Sequence, residues 1–194
     1  VKFVDILKQA KYGASVQAEY RSDGIPFIRG NNLSPNEIET TDIVYLDNSL
    51  VDEIGTCYVE EGDILITRSG TVGICAVVDD FHNNFAYGSF IIRLRVDNSR
   101  WNPYYIAAFL NSFWGKWQVK RLQNGAVQQN INIEEIGQIL IPIVPKEQQD
   151  LIEQIVREYI NMTRLSKQLI DEAKQDVEDL IEGKFDESKI SEGV

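Results

Sequence analysis

The 194-residue chain contains one histidine, two cysteines and one methionine, and no apolar run in it approaches the roughly 18 residues that span a bilayer. Each shortage excludes a class of chemistry. The single imidazole, His82 in Asp79-Asp-Phe-His-Asn-Asn84, has no second nitrogen ligand for a metal and is no base for the remote Ser69. The segment reads as a polar surface loop, with Asp79 and Asp80 as solvated carboxylates rather than a Mg2+ site. Cys57 and Cys75 are too few and too far apart for a disulfide framework or a zinc knuckle, so both are expected to be reduced packing residues in a cytoplasmic protein. Gly70-Thr-Val-Gly73 has neither the spacing nor the lysine of a nucleotide-phosphate loop and reads as a tight turn. The N-terminal residues lack a cationic leader with a hydrophobic stretch, and no membrane partner is expected. No set of residues makes the chain an enzyme by itself, and no catalytic residue, metal or cofactor is expected within it.

What is present is enough for a core: 43% of residues are hydrophobic and 10% aromatic. The formal net charge of -11 opposes a nucleic-acid partner, because phosphate binding draws its affinity from Lys and Arg. The distribution weakens that objection. From Ile64 to Ile133 there are seven basic residues against three acidic ones, whereas from Lys146 to Val194 there are seven basic against thirteen acidic. One basic, DNA-facing side and a separate protein-facing side fit this pattern; an acidic globule with local fluctuations is the plainer alternative.

Along the chain, Gly24-Ile-Pro-Phe-Ile-Arg29 reads as a turn and short strand, and Ile64 to Arg68 as a strand whose hairpin partner runs from Ile74 to Val78. In Phe90 to Val96 the period-2 pattern places Ile91, Arg93 and Arg95 together on a solvent face. Asn102 caps a helix with Pro103 in its first turn, and Ile106, Phe109, Leu110, Phe113 and Trp117 continue it as one amphipathic stripe. Trp114 and Trp117 are read as core residues, with base-stacking platforms as the alternative. Lys116, Lys120 and Arg121 follow, then the amides Gln123, Asn124, Gln128, Gln129 and Asn130, whose forked donors and acceptors suit base edges in a major groove. Asn132 and Glu135 match a capping box, and Ile139 to Val144 reads as an edge strand because Pro142 cannot donate to a central ladder.

The segment Val127 to Gln149 joins two regions of different character, since from Lys146 to Glu182 the chain has neither proline nor glycine. Ile152, Ile155, Tyr159, Met162, Leu169, Ala173 and Leu180 fall on a heptad-like seam of a helix reaching roughly 55 Å at 1.5 Å per residue. Such a stripe needs a partner helix, in the same chain or another.

Several segments then resemble one family in order: Tyr12-Gly-Ala-Ser15, Gly24 to Leu33, Gly62-Asp-Ile-Leu-Ile-Thr-Arg-Ser-Gly-Thr-Val-Gly73, and Gln129-Asn-Ile-Asn132 through to Pro145-Lys-Glu-Gln-Gln149. Together they are similar to a target-recognition domain of the specificity subunit of type I restriction-modification systems. The resemblance implies a mixed α+β recognition domain over residues 1–145, a long coiled-coil-forming spacer helix over 146–183 and a frayed tail over 184–194, about half a specificity subunit. It implies recognition of half of a bipartite target in double-stranded DNA and docking of an adenine-N6 methyltransferase subunit by the helix. The chemistry and S-adenosylmethionine would belong to that partner, since an Asn/Asp-Pro-Pro-Tyr/Phe methylation motif and a nuclease carboxylate-lysine cluster are absent. A restriction subunit and a second copy of the chain, joined through the helix, are further implied partners. Candidates for DNA contact are Arg68, Lys116, Lys120, Arg121, Gln123 and Asn124, with Arg93 and Arg95 as alternatives. The competing reading is an assembly module or DNA mimic that binds a methyltransferase without reading DNA.

Overall fold

The computed structural model describes residues 1–17, 19–125 and 128–186. Val127, which heads the junction segment, and residues 187–194 of the expected frayed tail lie outside the described residues. The strands are β1 (Leu7–Tyr12), β2 (Ile25–Ile28), β3 (Leu33–Ser34), β4 (Glu37–Ile38), β5 (Val44–Leu46), β6 (Ile64–Thr67), β7 (Cys75–Val77), β8 (Ala86–Tyr87) and β9 (Ile91–Val96). The helices are α1 (Val51–Ile54), α2 (Pro103–Asn111), α3 (Phe113–Leu122), α4 (Ile133–Gly137) and α5 (Lys146–Ile181). An α+β domain followed by one long helix is therefore what the chain forms. Two compact units divide it, Val1–Val156 and the residues from Arg157 onward.

The first unit is organised by a four-stranded sheet of order β1-β9-β6-β7, accompanied by a three-stranded sheet β5-β2-β8 and the pair β3-β4. The expected hairpin exists: Ile64 lies opposite Val77 and Ile66 opposite Cys75. Its turn needs left-handed backbone at Gly70 (φ 78°) and Gly73 (φ 91°), and a side chain at Gly73 would also collide with Val119 of α3. One face of this sheet, through Leu65, Ala76 and Ile91, joins Phe27, Ile28, Leu46 and Tyr87 in a common core. On β6 all four residues are buried, and the helix α2 packs over β7 with Ile106 and Leu110 fully enclosed. Each such aliphatic side chain contributes roughly 1.5–3 kcal/mol on leaving water.

Burial on both faces overturns the expectation for β9. Its strand lies between β1 and β6, so Ile91 is fully enclosed and Arg93 only 5% exposed, not on a solvent face. The terminal nitrogens of the buried guanidinium find oxygen partners inside the protein, whereas Nε has an ion-pair partner but no hydrogen bond. Arg93 donates to the Tyr58 carbonyl at 2.5 Å and to Gln9 Oε1 at 2.7 Å, and its Nε lies 3.7 Å from the Asp63 carboxylate. Arg95 donates from Nε to Asp63 Oδ1 at 2.5 Å and also pairs with Glu60 at 2.8 Å. The bond to Asp63 raises the Arg95 pKa against desolvation, which lowers it.

Three further departures have local causes. The amphipathic stripe from Ile106 to Trp117 is not one helix: Ser112 is extended (φ -69°, ψ 168°), and its hydroxyl accepts from Gly115 N at 3.3 Å to start α3 anew. Gly115 sits against the Phe109 and Leu110 backbone, where any Cβ would collide, so the break lets α3 cross close to α2. Residues 139–141 form a backbone ladder with the N-terminus instead of an edge strand, with Phe3 N donating to Ile139 O (2.8 Å) and Ile141 N to Val1 O (2.9 Å). His82 is 1% exposed rather than on a surface loop; Nδ1 lies 2.5 Å from Asp79 Oδ1, and the rings of Phe81 and Phe85 enclose it edge-on. Cys57 and Cys75 are free and buried, as expected, and burial pushes the Cys75 thiol pKa up.

The start of α5 is fastened to the first unit by amides. Gln149, 2% exposed, accepts from Asn102 N at 2.8 Å and donates to the carbonyls of Val144 (3.0 Å) and Arg100 (3.4 Å). Asn102 caps α2 by accepting from Tyr104 N at 2.9 Å, while its amide donates to Asp150 (2.9 Å) and Glu153 (2.5 Å) of α5. Lys146, followed by Asn102, holds the Asp150 carboxyl below the usual carboxylate range.

Arg93→Ala leaves the Asp63 carboxylate buried without one of its cations, and is expected to lower the unfolding free energy by about 3–5 kcal/mol. The surface change Lys116→Ala should stay within about 0.5 kcal/mol. Urea titrations of the two variants measure the difference.

Candidate nucleic-acid interface

Restarting the helix at Ser112 turns a different face of α3 toward the core. Gly115 and Val119 are buried, whereas Phe113 (71%), Trp114 (65%) and Trp117 (46%) are exposed. The expectation that the two tryptophans are core residues is thereby corrected: the stripe ran on in sequence, but the break resets its phase. At 100° per residue Lys116 and Lys120 fall on one flank of the exposed face, Trp114 and Arg121 on the other, with Trp117 between. The Arg121 guanidinium lies over the Trp117 ring at 4.7 Å, and together with Trp114 and Leu140 these side chains border an open pocket of about 360 Å³.

Lys116, Lys120 and Arg121 are all exposed, and α3 contains no carboxylate. Lys116 and Lys120 form no ion pair among the described residues. The helix thus presents three cations in a chain of net charge -11. Lys120 and Arg121 occupy the last turn, where the helix dipole stabilises positive charge.

The chain leaving α3 carries the amides. Asn124 and Asn130 exchange reciprocal backbone hydrogen bonds of 2.8 Å, closing the base of the intervening loop. Gln123 donates to Gln129 Oε1 at 2.8 Å, Gln128 donates to the Ser69 hydroxyl at 3.0 Å, and the Asn124 amide bonds Glu135. Glu135 in turn completes the expected capping box of α4 with Asn132. Arg68, at the end of β6, donates to Asn130 Oδ1 at 3.1 Å and stacks over the Tyr12 ring at 4.7 Å.

Among the sequence candidates, Lys116, Lys120 and Arg121 lie on α3, Gln123 and Asn124 lie in the chain leaving it, and Arg68, just beyond β6, joins them only through Asn130. Arg93 and Arg95 do not join this group, because Asp63 and Glu60 engage them within the fold. The sequence placed Asn130 among the amides suited to base edges, not as a partner of Arg68, and gave Tyr12 no individual role. No period or spacing signals either role, since each depends on a partner distant in sequence. Among the described residues no group of three or more His, Cys, Asp and Glu could hold a metal ion, and no helix is long and apolar enough to cross a membrane.

Of the residues expected to form the α5 seam, Ile155 (58%), Tyr159 (51%), Met162 (62%), Leu169 (54%) and Leu180 (65%) are exposed, as is Ala173, while Ile152 is half-buried.

The family described as Type I restriction modification DNA specificity domain matches residues 2–175. The chain belongs to this family. It is 31% identical over 137 residues to the type I restriction enzyme StySPI specificity subunit of Salmonella potsdam, covering 68% of this chain and 28% of that protein. It is 25% identical over 162 residues to the putative type I restriction enzyme MjaX specificity subunit of Methanocaldococcus jannaschii, covering 81% of this chain and 38% of the relative. The chain thus spans well under half the length of these relatives. The fold is similar to that of the S subunit of a type I restriction-modification system from M. genitalium, with a TM-score of 0.68, 14% identity, and coverage of 92% of this chain and 43% of that one. The HsdS subunit from Thermoanaerobacter tengcongensis gives a TM-score of 0.58 at 16% identity, covering 87% and 39%. In this specificity-domain chain the family match spans the sheets, the α3 group and most of α5.

Proposed function

We propose that the chain is the sequence-reading module of a type I restriction-modification system, recognising one half of a bipartite target in double-stranded DNA. The observation that carries the reading is α3: Lys116, Lys120 and Arg121 stand exposed on a helix without a carboxylate and lead directly into an amide-bearing loop, in a DNA specificity domain. The lysines supply sequence-independent attraction to phosphates, and Gln123 and Asn124 supply donors and acceptors suited to base edges. Each half of the task thus has its own side chains, adjacent along the chain.

The module itself performs no bond chemistry in this reading. Methyl transfer to adenine N6, with S-adenosylmethionine, belongs to a methyltransferase subunit that docks on α5, and cleavage belongs to a restriction subunit. The exposed seam from Ile155 to Leu180 supports this division, because burying it against a partner helix removes apolar surface that a single chain leaves in water. A second copy of the chain, pairing through the same seam, would supply the other half-site reader. Such a complex would work in the bacterial or archaeal cytoplasm.

Two measurements test the reading. Lys116→Ala combined with Lys120→Ala should weaken binding to all duplexes alike and reduce the slope of log affinity against log salt by about 2. An unchanged slope removes the α3 lysines from the DNA interface. Leu169→Asp, at a site already 54% exposed, should leave the fold intact but abolish association with the methyltransferase subunit or the second copy in sedimentation. Unaltered assembly would show that the seam is not the contact.

A further inference from the structure

We propose that Arg68 acts as a positioning residue for base reading: it holds the amide-bearing loop in place through Asn130 and does not itself contact DNA. The inference rests on the specificity reading above and assigns a role within it.

Both ends of the guanidinium fork are engaged within the protein. One Nη donates to Asn130 Oδ1 at 3.1 Å, and the other reaches the Ser89 carbonyl at 3.5 Å. Its face stacks on Tyr12 at 4.7 Å, and Nε is buried with no partner. An arginine that grips a phosphate presents two parallel N–H groups of its fork to solvent. Here each terminal nitrogen already serves a protein oxygen and Nε is closed off, so the side-on pairing through Nε is not on offer.

What Arg68 touches explains its use. Tyr12 is itself fixed, because its hydroxyl accepts from Ile133 N at 3.2 Å. Asn130 is the residue whose backbone closes the loop with Asn124, and Ile131 N donates to the Arg68 carbonyl at 3.0 Å. Next along β6, Ser69 accepts from Gln128 at 3.0 Å. The end of β1, the end of β6 and the chain entering α4 therefore converge on one planar cation. Arginine suits this place because its flat fork can stack and donate in two directions at once, which a lysine ammonium cannot do. Loss of the fork frees Asn130 and, with it, the base of the segment that carries Gln123 and Asn124. Discrimination between sequences should fall while the attraction supplied by α3 remains.

The experiment uses the full chain and two DNA probes, a pool of randomised duplexes sequenced after selection and one fixed mixed-sequence duplex titrated across salt. Wild-type protein should enrich one sequence. If it enriches none, the specificity reading fails, independently of Arg68. In Arg68→Lys and Arg68→Ala alike, preference for the enriched sequence over its single-base variants should drop about tenfold or more, the equivalent of one base contact. The salt slope on the fixed duplex should stay at the wild-type value. A phosphate contact would give the opposite pattern: Arg68→Lys would keep the wild-type enrichment, and Arg68→Ala would lose about 1 from the slope. Either result overturns the proposal. Asn130→Ala removes only the acceptor and guards against a fold lost with the arginine. It should reproduce the loss of discrimination, with little added by the double change, and wild-type enrichment in Asn130→Ala would overturn the assignment.

Discussion

The structure turns on one buried pair of amides. Gln149 is enclosed to 2% exposure in the first turns of α5, and its three hydrogen bonds reach Asn102, Arg100 and Val144. Asn102 caps α2 and in the same position donates to Asp150 and Glu153. The residue that starts the α2–α3 pair is thus also the residue that grips the first turns of α5. Pulling the two apart would leave buried amide groups without partners, at about 1–3 kcal/mol for each. That constraint fixes the start of α5 relative to α2, which leads through Ser112 into the basic helix. The start of α5 and the start of α2 are therefore joined through the side chains of two adjacent buried amides.

The charge of the molecule becomes intelligible on this plan. A net charge of -11 works against DNA binding as a whole, yet the α3 flank holds cations with no acid on the same helix. Two of the arginines in the basic central portion, Arg93 and Arg95, stabilise the fold against Asp63 and Glu60 and contribute little outward field. On α5 an exposed apolar stripe runs among acidic residues.

Features set by local chemistry were legible in the sequence. Gly62 to Gly73 announced a hairpin because the turn needs glycine at positive φ, Asn132 and Glu135 announced α4 because a capping box is a contact across three residues, and α5 declared itself by a helical apolar period, broken at Ser166 and Asp176, in a stretch without proline or glycine. Features set by distant partners were not. The period-2 pattern of β9 is compatible with one covered face or two, and only the core formed by Leu65, Ile91 and Tyr87 with the second sheet decides that Arg93 is enclosed. The apolar spacing from Ile106 to Trp117 runs unbroken through Ser112, and Gly115 looks like a weak helix residue until its contact with the Phe109 backbone is known. His82 carries no sequence sign of burial, because its enclosure comes from Phe81 and Phe85 folding over it. The site followed the same rule. The cations and amides of α3 and its loop could be named from composition, but the Arg68–Asn130 contact joins residues 62 positions apart.

The central claim is that residues 1–145 choose the DNA sequence while the chemistry lies in a partner. The direct measurement replaces residues 1–145 with the corresponding domain of the Salmonella potsdam relative, retains α5, and maps methylated adenines across a genome in cells supplying the methyltransferase subunit. The account predicts that one half of the methylated target changes to the donor's half-site. A methylated sequence identical to that made with the parent chain would contradict it.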